Sequence, residues 1–113
     1  MSDCLFCNII AGKIPARKAY EDDQVLAFYD IAPQAPVHVL IIPKKHFAGL
    51  QEAKEEDAEL LGHCLLVAAR IAREQKLEDG YRTVFNVGRG AGQAVFHLHL
   101  HLLGGRKLTW PPG

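Results

Sequence analysis

Hydrophobic and polar positions alternate in several short stretches and follow a helical period in one long one. The strictest alternation lies near the end: Val95, His97, His99 and His101 interleave with Phe96, Leu98, Leu100 and Leu102. Successive strand side chains point to opposite faces, so this pattern predicts a strand over 94–103 with the leucines toward the core and the histidines on the other side. Over 55–75, Leu61, Leu65, Ala68, Ile71 and Ala72 recur at helical spacing, with Glu56, Glu59, Arg70 and Arg73 elsewhere. This predicts one long helix whose charges complement its dipole, acidic residues early and basic residues late. Residues 5–10 predict a short helix stopping at Gly12, and Ile14-Pro15 forces extended chain. The stretches 18–21 and 25–28, parted by Asp22-Asp23, predict a hairpin. A strand over 37–42 is ended by Pro43, and another over 81–87 follows the Asp79-Gly80 turn. Hairpin-compatible strands and one long helix indicate an α+β domain with an antiparallel sheet.

The chain's 113 residues suit a single domain, 1–113, with an irregular tail from about 106. At 49% apolar content it can bury a real core and is not of a disordered class. Its formal net charge of zero argues against a nucleic-acid polymer as partner, which would favour a basic excess. The start lacks a basic then apolar leader pattern, and no apolar run is long enough to span a bilayer, so the expected setting is cytoplasmic, with no membrane partner. Three cysteines, an odd number, speak against a disulfide framework.

Three imidazoles on one strand face would stand at roughly 7 Å intervals. Two chemistries fit. Such histidines can ligate a catalytic metal, or one imidazole can attack phosphorus while its neighbours orient and supply protons. Imidazole is largely neutral near pH 7 and therefore nucleophilic. The preceding loop, Asn86-Val87-Gly88-Arg89-Gly90-Ala91-Gly92-Gln93, favours phosphate. Its glycines would let backbone amides turn toward an anion, and Asn86 and Gln93 add neutral donors. It is neither a Walker loop nor a dinucleotide fingerprint, because a strand follows it and no Gly-Lys-Ser/Thr is present.

His97-Leu98-His99-Leu100-His101-Leu102-Leu103 resembles the signature of the histidine-triad (HIT) superfamily. Asp30-Ile31-Ala32-Pro33-Gln34-Ala35-Pro36-Val37-His38, Ile42-Pro43-Lys44-Lys45-His46, Gly104-Gly105-Arg106 and Trp110-Pro111-Pro112-Gly113 are similar to its Hint branch. The resemblance implies the HIT fold, with one long and one short helix, and a homodimer whose two sheets run together. It implies hydrolysis of purine nucleoside phosphoramidates, with AMP, GMP or their phosphoramidate derivatives as ligands and no cofactor needed for catalysis. His99 would be the nucleophile, His101 would lie near the leaving group, His38 would align the site, and His97 would complete the triad. Asn86, Gly92 and Gln93 would hold phosphate oxygens, and Asp30 would bind ribose with Ile31 beside it. Leu5, Phe6, Ile9 and Phe28 would enclose the base. Ala94 stands where many Hint proteins have serine, which removes a hydroxyl near the leaving group. A nucleotide-binding module with incidental hydrolysis is the rival reading.

Cys4-Leu5-Phe6-Cys7 alone is ambiguous between a redox pair, a metal half-site and two buried small residues. Some HIT relatives bind zinc through such a pair plus the histidine after the Pro-Lys segment and the first triad histidine. The resemblance therefore implies a candidate structural zinc held by Cys4, Cys7, His46 and His97. Cys64, on the helix's apolar side, is a core residue on this reading.

Overall fold

The computed structural model describes residues 3–113. A short helix α1 (Leu5–Ile10) is followed by strands β1 (Lys18–Glu21), β2 (Val25–Tyr29) and β3 (Val37–Pro43). The long helix α2 (Ala58–Glu74) comes next, then β4 (Tyr81–Val84) and β5 (Leu100–Gly104). The strands form one antiparallel sheet in the order β1-β2-β3-β5-β4. This is an α+β arrangement with α2 on one face of the sheet and α1 on the other. No helix among the described residues is long and apolar enough to cross a membrane.

Alternation along the strands sorts side chains into two cores. Val25, Ala27, Val39, Ile41, Leu100 and Leu102 pack with Cys64, Val67, Ala68, Ile71 and Ala72 of α2. Leu26, Phe28, Leu40 and Ile42 point the other way and pack with Phe6 and Ile9 of α1. Helix α1 is only 6 residues long, too short to be stable by itself in water. It is held where it is by those two apolar side chains and by its cysteines.

Four expectations need correction. The buried stripe of α2 is Cys64, Val67, Ala68, Ile71 and Ala72: Ala68, Ile71, Ala72 and Cys64 are buried as expected, but the stripe continues through Val67 rather than Leu65, and Leu61 is only half-buried. Leu65 is 45% exposed and Leu66 70% exposed. Val67 and Leu65 both fit a helical spacing, and only the sheet decides which one is covered. The long helix also starts later than expected, after a 3₁₀ turn at Glu55–Asp57. Strand β4 ends at Val84 rather than residue 87. Finally, the regular ladder of the last strand spans Leu100–Gly104 and not 94–103. The chain bends through 95–97, where the Leu98 amide donates to the Phe47 carbonyl at 2.8 Å instead of to a neighbouring strand.

Candidate functional site

Beneath α1 lies an open, mainly apolar cleft of about 500 Å³. Leu5, Phe6, Ile9, Phe28, Asp30, Ile31, Asn86, Gly92, Ala94, His99 and His101 line it, joining distant parts of the chain. Ile14, Pro15, Ala16, Arg17, Tyr29, Leu40 and Val95 also line it and were not anticipated. The Ile14-Pro15 dipeptide signalled extended chain but not which way it faces. The Arg17 guanidinium lies 4.2 Å from the Tyr29 ring centre at this cleft.

His101 lies in β5 and His99 immediately before it. Register pairs His101 with Leu40 and His38 with Leu103. The partners of each imidazole assign its proton, because a carbonyl can only accept and a backbone N–H can only donate. His99 Nδ1 lies 2.8 Å from the His97 carbonyl oxygen, so it carries the proton and donates. The lone pair of His99 is therefore on Nε2. His38 Nδ1 accepts from the Gln34 amide at 3.0 Å, so His38 Nε2–H donates to His101 Nδ1 at 2.9 Å. The proton of neutral His101 is then on Nε2, a buried atom with no hydrogen-bond partner among the described residues. Buried donors are nearly always satisfied, so this one is poised for a ligand. Asp30 Oδ2 stands 3.5 Å from His38 Nε2 and stabilises the same relay, while its Oδ1 accepts from the Ala32 amide.

Burial keeps these rings neutral near pH 7 by disfavouring the imidazolium. It is the main cause of the lowered pKa of His99, opposed by the bond to the His97 carbonyl and by Asp30. His101 is pushed down to about 4 by burial, with the neighbouring His99 and His38 acting in the same direction. His38 is lowered by burial against the pull of Asp30. The His99 and His101 rings are 4.9 Å apart, and Phe6 meets the His99 ring edge-on at 5.1 Å. A neutral ring with a free lone pair and a neutral N–H donor thus sit side by side in an apolar cleft.

The glycine loop works differently from expectation. Gly88 and Gly92 do take positive φ, 82° and 90°, where a side chain would be strained. The amides of Ala91, Gly92 and Gln93 are spent within the turn, however, on the carbonyls of Gly88, Arg89 and Gly88. Gln93 is buried and away from the cleft lining. Its side chain accepts from the Gly88 amide and donates to the carbonyls of Ala48 and Val95. The loop is therefore a tied turn that presents Gly92, Ala94 and Asn86, rather than a cradle of open amides.

His97 also departs from its neighbours. It stays on the α1 side of the sheet, 6.0 Å from Phe6, but the bend at 95–97 turns its fully buried ring out of the cleft. His97 Nε2–H donates to the Pro43 carbonyl at 2.8 Å, leaving its lone pair on Nδ1. Three groups converge on that atom: His46 Nδ1 at 3.0 Å, Cys4 Sγ at 3.4 Å and Cys7 Sγ at 3.5 Å. Cys7 Sγ is also 3.3 Å from His46 Nδ1. One lone pair cannot serve three donors, whereas a cation among four deprotonated ligand atoms satisfies them all. Zinc–sulfur bonds of about 2.3 Å and zinc–nitrogen bonds of about 2.0 Å set tetrahedral ligand edges of about 3.3–3.8 Å, close to these spacings. The residues fit a metal such as zinc. A second group, Asp30, His38 and His101, is also compact enough for an ion, but the histidine pair there is accounted for by the hydrogen bond between the rings.

The HIT domain family matches residues 11–108, and the chain belongs to that family. It is 58% identical over 111 residues to an uncharacterised HIT-like protein of Synechococcus elongatus, covering 98% of this chain and 97% of that one. Among solved structures it resembles a HIT family hydrolase from Legionella pneumophila, with a TM-score of 0.96 and 56% identity, covering 98% of this chain and all, 100%, of the other. It also resembles a histidine triad nucleotide-binding protein from Candida albicans, with a TM-score of 0.83 and 37% identity over 96% of this chain and 83% of that one.

Proposed function

We propose that this chain is a hydrolase of purine nucleoside phosphoramidates, of the Hint branch of the HIT family, acting through a nucleotidyl-histidine intermediate. The observation that carries this reading is the proton assignment. His99 offers a lone pair on Nε2, and His101 offers beside it a buried Nε2–H that has no partner among the described residues. The likeness to the Legionella hydrolase and the Candida nucleotide-binding protein supports it.

In this mechanism His99 Nε2 forms a bond to phosphorus and the P–N bond breaks. The amine departs with a proton from water. His101 Nε2–H donates to the phosphoryl group on the side of the departing amine, stabilising the charge that builds there. Water then cleaves the Nε2–P bond, releasing the nucleoside monophosphate and restoring His99. His38 is a positioning residue that holds His101 in its tautomer. Leu5, Phe6, Ile9 and Phe28 take the base, Asp30 and Ile31 the ribose, and Asn86 and Gly92 the phosphate, while Gln93 positions the loop. Cys4, Cys7, His46 and His97 would hold a structural zinc, which would supply a cross-link between α1 and the bend at 95–97 and take no part in bond breaking.

We read residues 1–113 as a single HIT domain with an irregular tail, acting as a homodimer in the cytoplasm. Support for the dimer comes from β4, an edge strand of the sheet and thus an open pairing template, and from exposed Leu65, Leu66 and Trp110. Sedimentation at micromolar concentration should show a dimer; a monomer would contradict it. The activity is tested by turnover of adenosine 5′-phosphoramidate by the wild type and by His99→Ala. Turnover by the wild type and none by the variant, with AMP still bound by both, supports the enzyme. AMP binding with no turnover by the wild type would instead support a binding module.

A further inference from the structure

The cysteine–histidine cluster and the nucleotide cleft share two structural parts. The first is α1. Cys4, its N-cap, and Cys7 belong to the cluster, while Leu5, Phe6 and Ile9 between and beyond them form the cleft wall. The second is His97. Its ring belongs to the cluster, and its backbone carbonyl takes the Nδ1–H of His99. Phe6 joins both parts, with its ring 6.0 Å from His97 and 5.1 Å from His99.

A helix of 6 residues has no stability of its own to spend on holding a wall in place. Its apolar packing through Phe6 and Ile9 and its thiols are restraints on α1 from outside the helix. Leu5, facing the cleft, is already 45% exposed. The thiol contacts to imidazole, at 3.3–3.5 Å, are weak as hydrogen bonds. A metal ion would replace them with four coordinate bonds and would fix the bend carrying His97 at the same time.

We propose that metal occupancy of the Cys4–Cys7–His46–His97 cluster controls the nucleotide cleft, by ordering the α1 wall and the carbonyl that orients His99. This rests on reading the cleft as a purine nucleotide site. Ligand binding to a wall that is ordered in only part of the population is weakened by that fraction. Metal and nucleotide should therefore bind with positive coupling, each strengthening the other. On this view His97 is a positioning residue of the reaction, acting through its main chain, and the cluster is a control point rather than a passive staple.

The test compares zinc-loaded protein with protein stripped by a chelator and then reloaded. AMP affinity is measured by calorimetry, and backbone hydrogen exchange is followed at α1 and α2. Stripping should weaken AMP binding by about tenfold or more, and zinc should restore it. The Asn8 and Ala11 amides, bonded to the carbonyls of Cys4 and Cys7, should exchange faster without zinc, while α2 amides stay protected and show that the fold persists. A Cys4→Ser/Cys7→Ser variant should remain in the weak state and ignore added zinc. The proposal is overturned if zinc does not bind, or if loaded and stripped protein bind AMP equally. It is likewise overturned if α1 exchange is independent of zinc. If neither form binds AMP while α1 exchange still responds to zinc, the nucleotide reading of the cleft fails and metal control of α1 stands.

Discussion

Acidification should destabilise this protein well above the pH at which its carboxylates titrate, and His101 should carry much of the loss. Its folded value is about 4 against an ordinary 6.5. Between these values the unfolded chain binds a proton that the folded chain does not, so stability falls as pH falls through the window. From about pH 7.5 to about pH 5 the difference integrates to about 2 kcal/mol for this one group. Partial exposure of the ring screens part of it, leaving about 1–2 kcal/mol. His38, His97 and His99 are lowered too, mainly by burial, and act with the same sign. The ion-paired carboxylates Glu21 and Asp57 are shifted away from this window, to lower pH. Glu21 is held down to about 2 by Lys18 and Lys44 and Asp57 is lowered by Lys45, so their contributions persist until pH falls through the ordinary carboxylate range. Urea unfolding at the two pH values, with a chelator present throughout so that metal release cancels, reads the loss directly. The His101→Gln variant, which cannot titrate, should lose about 1–2 kcal/mol less than the wild type. An equal loss in the two proteins would refute the burial argument for His101, and with it the neutral donor assigned to the site.

Three further outcomes follow from the geometry. Phe6→Ala removes a ring that is 4% exposed and touches Phe28, His97 and His99; we expect a loss of about 3 kcal/mol in urea unfolding and weaker AMP binding by calorimetry, and unchanged values would contradict the role of the α1 wall. Ala94→Ser returns a hydroxyl to the cleft lining and should alter the relative rates for phosphoramidates of small and bulky amines; identical ratios would show that Ala94 is not near the leaving group. Trp110 is 83% exposed at the end of a segment without helix or strand, and deleting 108–113 should likewise shift those ratios without preventing His99 chemistry; equal ratios would remove the tail as a specificity element.

The strand alternation was legible because one period decides both faces: Leu100 and Leu102 lie in the helix-side core, and His99 and His101 on the opposite side. The spacing of α2 predicted a helix and the burial of Cys64, Ala68, Ile71 and Ala72, but not the choice of Val67 over Leu65, since both satisfy a 3.6-residue period. The bend at 95–97 was not legible at all. It depends on the contact of Leu98 with Phe47 and on the gathering of Cys4, Cys7, His46 and His97, both long-range. The same limit explains the glycine loop. Its glycines signalled positive φ, but which acceptor each amide would find depended on Gln93 reaching Ala48 and Val95. Family resemblance gathered the two cysteines and two histidines into one set, which local spacing of the Cys-x-x-Cys pair could not.

Attack of His99 Nε2 on phosphorus would leave a nucleotidyl group on that ring. It is tested most directly by mixing the protein with adenosine 5′-phosphoramidate, quenching under alkaline conditions that spare a phosphorus–imidazole bond, and measuring intact and peptide masses. We expect a transient gain of one adenylyl group on the wild type, mapped to His99 and absent from His99→Ala. Turnover of the substrate with the adduct on another residue, or undiminished turnover in His99→Ala, would contradict it.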